Sequence, residues 1–207
     1  TQGYSSAASD VYKRQIENPG LYSLVGSNGC GKSTIFKLLE RFYECKVGKI
    51  EINQVPINKY SASDLRNNIV YMPKKPFFLQ GTIMDNLKLG QNEISDLEVI
   101  EVCKKVGIHS DIQKLEKGYY ELIESGGENF SSGQKQKLGF VRVLLKKADI
   151  VLLDEVTSDL DGEAERQICN QIEEIAKKAI VLNIAHKPES IRTVSYTHLR
   201  AHETLRH

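Results

Sequence analysis

The chain is 207 residues long, with 28 Lys+Arg against 27 Asp+Glu and a formal net charge of +1. At roughly 100–200 residues per domain, that length holds one domain with room for a subdomain. A hydrophobic content of 40%, a charged content of 27% and 15 Gly beside 5 Pro argue against the disordered, collagen-like and disulfide-scaffold classes, and the near-neutral charge rules out a strong electrostatic case for nucleic acid or an anionic membrane surface.

The two ends read differently from the middle. Residues 5–15, SSAASDVYKRQ, and 194–204, VSYTHLRAHET, resemble in-frame translations of the transposase adapters used in sequencing libraries. Residues 1–15 and 194–207 are therefore expected to be adapter-derived and foreign to the fold. The alternative for the second is a polar tail whose His198, His202 and His207 bind metal. The domain is read over 16–193, cut at both ends. No apolar run approaches the ~18–20 residues needed to cross a bilayer: Ile150 to Leu153 and Phe140 to Leu145 are short, and Arg142 interrupts the second. No signal-peptide pattern opens the chain. Cys30, Cys45, Cys103 and Cys169 form no CxxC pair, so neither zinc nor a disulfide framework is indicated, and a reducing cytosol fits.

In chain order, Leu21 to Val25 is a short apolar run ending at a glycine, and Ser33 to Phe42 carries apolar residues at 35, 36, 38, 39 and 42, a helical spacing. A strand is expected at Lys49 to Ile52, a short helix after Ser63, and a strand at Ile69 to Tyr71 that stops at Pro73. From Gly81 to about Leu115 the pattern turns helical, with Leu97, Val99, Ile100, Val102 and Val106 on a mostly buried face, which reads as a helical insertion. Then follow a helix over Ser132 to Leu145, a buried strand at Ile150 to Leu153, an amphipathic helix over Gly162 to Ala176 and a strand at Ile180 to Ile184. Strands alternating with helices imply a parallel α/β sheet, whose ligand site lies at the carboxyl ends of the strands.

Gly26-Ser27-Asn28-Gly29-Cys30-Gly31-Lys32-Ser33 matches GxxxxGK[ST] between a strand and a helix. The glycines permit a tight loop whose backbone N–H groups surround a phosphate chain, and the helix start adds its positive dipole end. Lys32 would reach the β- and γ-phosphates, and the Ser33 hydroxyl would ligate Mg²⁺. Four apolar residues lead into Asp154-Glu155. Asp154 would hold Mg²⁺, directly or through water, and Glu155 would orient and deprotonate an attacking water. His186, just past the strand Ile180 to Ile184, is placed to meet the γ-phosphate or that water.

With these motifs in order, the chain resembles the nucleotide-binding domain of an ABC transporter of the exporter type, from about Ile16 to Thr193. Phe130-Ser131-Ser132-Gly133-Gln134 resembles the LSGGQ signature, Ser158-Asp159-Leu160-Asp161 the D-loop, Ile184-Ala185-His186 the switch-histidine segment, and Gly81-Thr82-Ile83 with Asp85-Asn86 the stretch after the Q-loop. The resemblance implies a P-loop NTPase (RecA-like) parallel-sheet core with an inserted α-helical subdomain over about 81–145. It implies ATP and Mg²⁺ as cofactors, with Ser27, Asn28, Gly29, Cys30, Gly31, Lys32, Ser33 and Thr34 at the nucleotide and Lys32, Glu155 and His186 in catalysis. It also implies a second ABC nucleotide-binding domain as partner, whose ATP would meet Ser131, Ser132, Gly133 and Gln134, and a fused or separate transmembrane domain that places the chain at the cytoplasmic face of the cell membrane. No nucleic-acid partner is expected.

Some positions depart from the family pattern. Lys74, in Tyr71-Met72-Pro73-Lys74, stands at the Q-loop position where the family has glutamine, and an ammonium cannot ligate a cation. Phe130 replaces leucine and Ser132 the first signature glycine, and Glu124-Ser125-Gly126-Gly127 only partly resembles the exporter loop before the signature. The family's adenine-stacking aromatic lies upstream of Ile16, so Tyr22 is read as a strand residue. The expected function is ATP hydrolysis powering transmembrane export. Two alternatives stand beside it: a degenerate, ATP-gated dimerisation module of a heterodimeric transporter, and a soluble, non-transport ABC ATPase.

Overall fold

The computed structural model describes residues 15–184 apart from Asn28, Gly90 and Asn92, together with the backbone of Leu199 and Arg200. Its centre is a five-stranded sheet ordered β4-β7-β8-β1-β9, formed by β1 (Gly20–Val25), β4 (Ile69–Met72), β7 (Ile150–Asp154), β8 (Ile180–Ile184) and β9 (Leu199–Arg200). Every pairing is parallel. The register sets Leu152 beside both Tyr71 and Leu182, and Asp154 beside Ile184. Two residues of the segment expected to be a foreign tail, Leu199 and Arg200, pair with Leu24 and Val25 at the sheet edge.

These strands are apolar almost without interruption because a parallel sheet is covered on both faces. Successive side chains point to opposite faces, and β7 divides accordingly: Val151 and Leu153 join one core, Leu152 the other. The first core packs the sheet against α3 (Ile83–Lys88), α4 (Asp96–Val106), α6 (Ser132–Lys146) and α7 (Gly162–Ala176). The second packs it against α1 (Lys32–Leu39) and α2 (Ala62–Asn68) through Phe36 and Leu65.

The remaining elements refine the sequence expectations. α1 ends at Leu39 rather than Phe42, because Arg41 turns left-handed at φ 57, and Phe42 stands exposed. The strand expected at Lys49 to Ile52 is shorter, β2 (Glu51–Ile52), and pairs antiparallel with β3 (Val55–Pro56). Asn53 and Gln54 connect them, both at positive φ, as a two-residue hairpin with the right-handed strand twist requires. α2 begins before Ser63 because Ser61 and Asp64 form a capping box at Ala62.

The helical insertion contains α3, α4 and α5 (His109–Gln113), and its base is tied by β5 (Gly81–Thr82) paired antiparallel with β6 (Leu122–Ile123), a pairing too short to carry a sequence signal. Within α4, Val99, Cys103 and Val106 are buried, but Leu97, expected on that face, is exposed. It sits in the first turn after the Ser95 cap, ahead of the packed stretch.

Candidate nucleotide site

β1 runs into the glycine-rich loop and the loop into α1. Gly29 and Gly31 take φ 81 and 93, left-handed backbone with open space where a Cβ would stand. Gly31 is the N-cap of α1 and offers no side-chain cap, and the first turn of the helix holds no acid. The α1 start therefore presents N–H groups and positive dipole to whatever anion approaches. Lys32 is buried and its Nζ donates to the carbonyl oxygens of Gly26 and Ser27, at 2.8 Å each, drawing the loop around the ammonium. Cys30 Sγ lies 3.8 Å from the same nitrogen. Ser33 is partly exposed and Thr34 exposed on the first turn of α1. Asn28 lies outside the described residues.

All strands of the sheet run the same way, so the end of β7 lies on the same edge as this loop, with β8 between them, about 10 Å across at two interstrand spacings. Asp154 closes β7 and is buried. Tyr71 Oη, on neighbouring β4, donates to its Oδ2 at 3.3 Å. Burial first, and the Asp154 charge after it, push the Tyr71 hydroxyl up to about 12, so it stays a donor. Phe36 of α1 packs edge-on against the Tyr71 ring, with centroids 5.8 Å apart, which couples the loop's helix to the strand beside Asp154.

Glu155 follows at φ 53, a strained conformation for a residue with a Cβ, held by its N–H donating to Ile184 O at 3.0 Å. Lys74 Nζ contacts its Oε2. That hydrogen bond, with the charges of Glu155, Asp159 and Asp154, holds the Lys74 ammonium above its ordinary range. His186 lies outside the described residues.

Ser131 caps α6 and forms a capping box with Gln134: Gln134 N–H donates to Ser131 Oγ at 3.2 Å and Ser131 N–H to Gln134 Oε1 at 3.0 Å. Ser132 and Gly133 open the helix. A Cβ on Gly133 would stand 3.3 Å from the Asp159 carbonyl, so the start of α6 lies against the D-loop. Buried Gln136 joins the two: its Nε2 donates to Ser158 Oγ at 3.4 Å and its Oε1 accepts from Asp159 N–H at 3.3 Å. Asp161 caps α7, accepting from Ala164 N–H at 2.9 Å. Sequence reasoning missed Tyr71 and Gln136. Both stand next to recognised motifs, but only three-dimensional pairing reveals their partners.

The donors expected for Mg²⁺ suit it chemically. Asp154 is a buried carboxylate whose hydrogen-bond partner among the described residues is one hydroxyl at long range, so it keeps acceptor capacity for a cation. With the Ser33 hydroxyl it makes a set of hard oxygen donors. Among the described residues no group of three or more His, Cys, Asp or Glu side chains is arranged to hold a metal.

The family model described as "ABC transporter" matches residues 12–158. The leptomycin B resistance protein pmd1 of Schizosaccharomyces pombe is 38% identical over 176 residues, which cover 84% of this chain and 13% of that protein. The ABC multidrug transporter MDR2 of Trichophyton tonsurans is 38% identical over 178 residues, again 84% of this chain and 13% of that protein. A solved structure of a bacterial Atm1-family ABC exporter with ATP bound superposes with a TM-score of 0.80 at 32% identity, covering 84% of this chain and 30% of that one. The chain thus spans less than a third of the length of these relatives. The matched segment holds the glycine-rich loop, the α6 signature and the Asp154-Glu155 strand end, and the chain belongs to the ABC transporter family as a nucleotide-binding domain.

Proposed function

We propose that the chain binds ATP with Mg²⁺ and hydrolyses it to drive export through a transmembrane domain, as one of a pair of such domains at the cytoplasmic face of a membrane. The observation that carries this is the shared edge: an uncapped α1 start wrapped around Lys32, and buried Asp154 followed by strained Glu155, at the carboxyl ends of one parallel sheet. The backbone N–H groups of residues 27–34 would cradle the phosphates and Lys32 would exchange its two loop carbonyls for phosphate oxygens. Asp154 and Ser33 would hold Mg²⁺, which when bound offsets the charge of the phosphates. Glu155 would take the proton of the attacking water, with His186 beside it. Ser131, Ser132, Gly133 and Gln134 would face ATP held by the partner domain, and Gln136 would keep them in step with the D-loop. The relatives' printed names, a resistance protein, a multidrug transporter and an exporter, support export as the work done.

A second reading, a module that binds ATP with weak turnover, draws on one observation: the expected general base is already paired with Lys74. Binding of a fluorescent ATP analogue and release of phosphate test both. Lys32→Ala should abolish binding. Glu155→Gln should keep binding and slow hydrolysis by about 10²–10⁴-fold, the range of general-base catalysis. Unchanged turnover in both variants sinks the site, and a slow single turnover in the unsubstituted chain, equal to that of Glu155→Gln, selects the second reading.

A further inference from the structure

At the carboxyl edge of the sheet, position 74 carries a fixed positive charge. Lys74 follows β4 by two residues, between Pro73 and Pro76. Both prolines lock their own φ, and the Pro76 ring is wedged against Gly139 of α6, where a Cβ would come within 2.7 Å of it. The segment is therefore anchored on each side of the lysine. Its Nζ contacts Glu155 Oε2, with the Lys74 side chain 49% exposed and that of Glu155 13%: the carboxylate is enclosed while the ammonium stays open to an arriving ligand. A half-exposed ion pair of this kind adds little to stability. Its consequence is electrostatic, since Asp154 and Asp159 also act on the same ammonium. Without that charge, the end of β7 would present uncompensated carboxylates beside the loop that holds Lys32.

We propose that the Lys74 ammonium is a tethered cation of the nucleotide site, a positioning residue that holds Glu155 and supplies locally part of the positive charge otherwise supplied by the divalent ion, so that the site accepts a metal-free nucleoside triphosphate. This rests on the ATP-site reading above. A neutral side chain at 74 leaves Lys32 and the α1 start to meet the phosphates, with no cation beside Glu155 except Mg²⁺.

The test is a binding titration of the full chain with fluorescent MANT-ATP, in excess Mg²⁺ and in excess EDTA, read as the ratio of the two dissociation constants. Lys74→Gln should raise that ratio roughly tenfold, the size of one charge-assisted hydrogen bond, by weakening metal-free binding more than binding of the Mg²⁺ form. Lys74→Arg keeps the charge and should keep the ratio. Equal thermal midpoints for the three chains establish that folding is not what changed. A Lys74→Gln ratio within twofold of the unsubstituted chain overturns the proposal, as does a ratio that rises equally in Lys74→Arg. An unsubstituted chain that binds MANT-ATP under neither condition overturns the ATP-site reading itself, and this proposal with it.

Discussion

Arg142 sits in the most apolar stretch of α6, and among the described residues its guanidinium is bound without any carboxylate. Nε donates to Asn86 O at 2.8 Å, one terminal nitrogen to Phe77 O and the other to Asn86 Oδ1 at 3.0 Å, with the group 4.4 Å above the Phe78 ring. Burial without a counter-charge brings its pKa down to about 10, so the three acceptors and the ring face are what keep a cation there. Arg142→Met should cost about 1–3 kcal/mol, because the part-buried Asn86 carbonyl loses its guanidinium donor while Asn86 Oδ1 keeps that of Leu79 N–H. Arg142→Lys should recover less than half of that, since a point charge cannot fork to three acceptors. Urea unfolding measures both, and a lysine variant as stable as the parent would refute the fork. The sequence showed Arg142 only as an interruption, because its acceptors lie 56 and 65 positions earlier. Lys32, Asp154 and Glu155 were legible for the opposite reason: their geometry comes from neighbours in the chain, glycines and a helix start for the first, a continuous apolar strand for the others. The Lys74–Glu155 pair spans 81 positions and left no trace in local pattern.

Among the elements, α6 does the most joining. Its start lies on the D-loop through Gly133 and Gln136, its middle on the segment after β4 through Gly139, and Arg142 reaches α3 through Asn86. Its limits were readable because Ser131 and Gln134 announce a cap, whereas the β2–β3 hairpin and the β5–β6 pair were half seen or missed, since two-residue strands have no periodicity to read. Gly139 gives α6 a quantitative test. In an open helix, alanine for glycine gains about 1 kcal/mol of propensity. Here the new methyl would lie 2.7 and 2.8 Å from two atoms of the Pro76 ring and 3.2 Å from Met72 Cε. The methionine can yield, but the ring cannot rotate away. Overpacking typically costs about 1–3 kcal/mol, so the balance should fall on the side of loss: Gly139→Ala is expected to lower the thermal midpoint, and a raised midpoint would mean that the Pro73–Pro76 segment is not anchored.

At the scale of the whole molecule, two helices on one side of the sheet, α4 and α7, bury thiols that would ionise at lower pH in the unfolded chain. Cys103 in α4 and Cys169 in α7 are buried, and neither is in a disulfide. Burial pushes both thiols up to about 11 from an ordinary value of 9.0; at Cys103 a hydrogen bond with Tyr119 opposes this, and at Cys169 the charges of Glu165 and Glu173 add to it. A folded-state pKa above the unfolded one means that the unfolded chain releases protons first. The stability tied to these groups is therefore whole below pH 9 and drains as pH climbs from 9 toward 11. Above pH 10 the effects diverge: Tyr71, raised by burial, continues the loss, whereas Arg142, lowered to about 10 from 12.5, opposes it. The clean window is thus pH 8 to 10, where the thiols dominate, and their joint contribution, discounted for partial solvent access, is about 1–2 kcal/mol. The urea midpoint should fall across that window at constant ionic strength. Replacing both cysteines by valine, which keeps an apolar side chain at each position, should flatten the fall, and an equal slope in the double variant would show that the alkaline loss arises elsewhere in the fold.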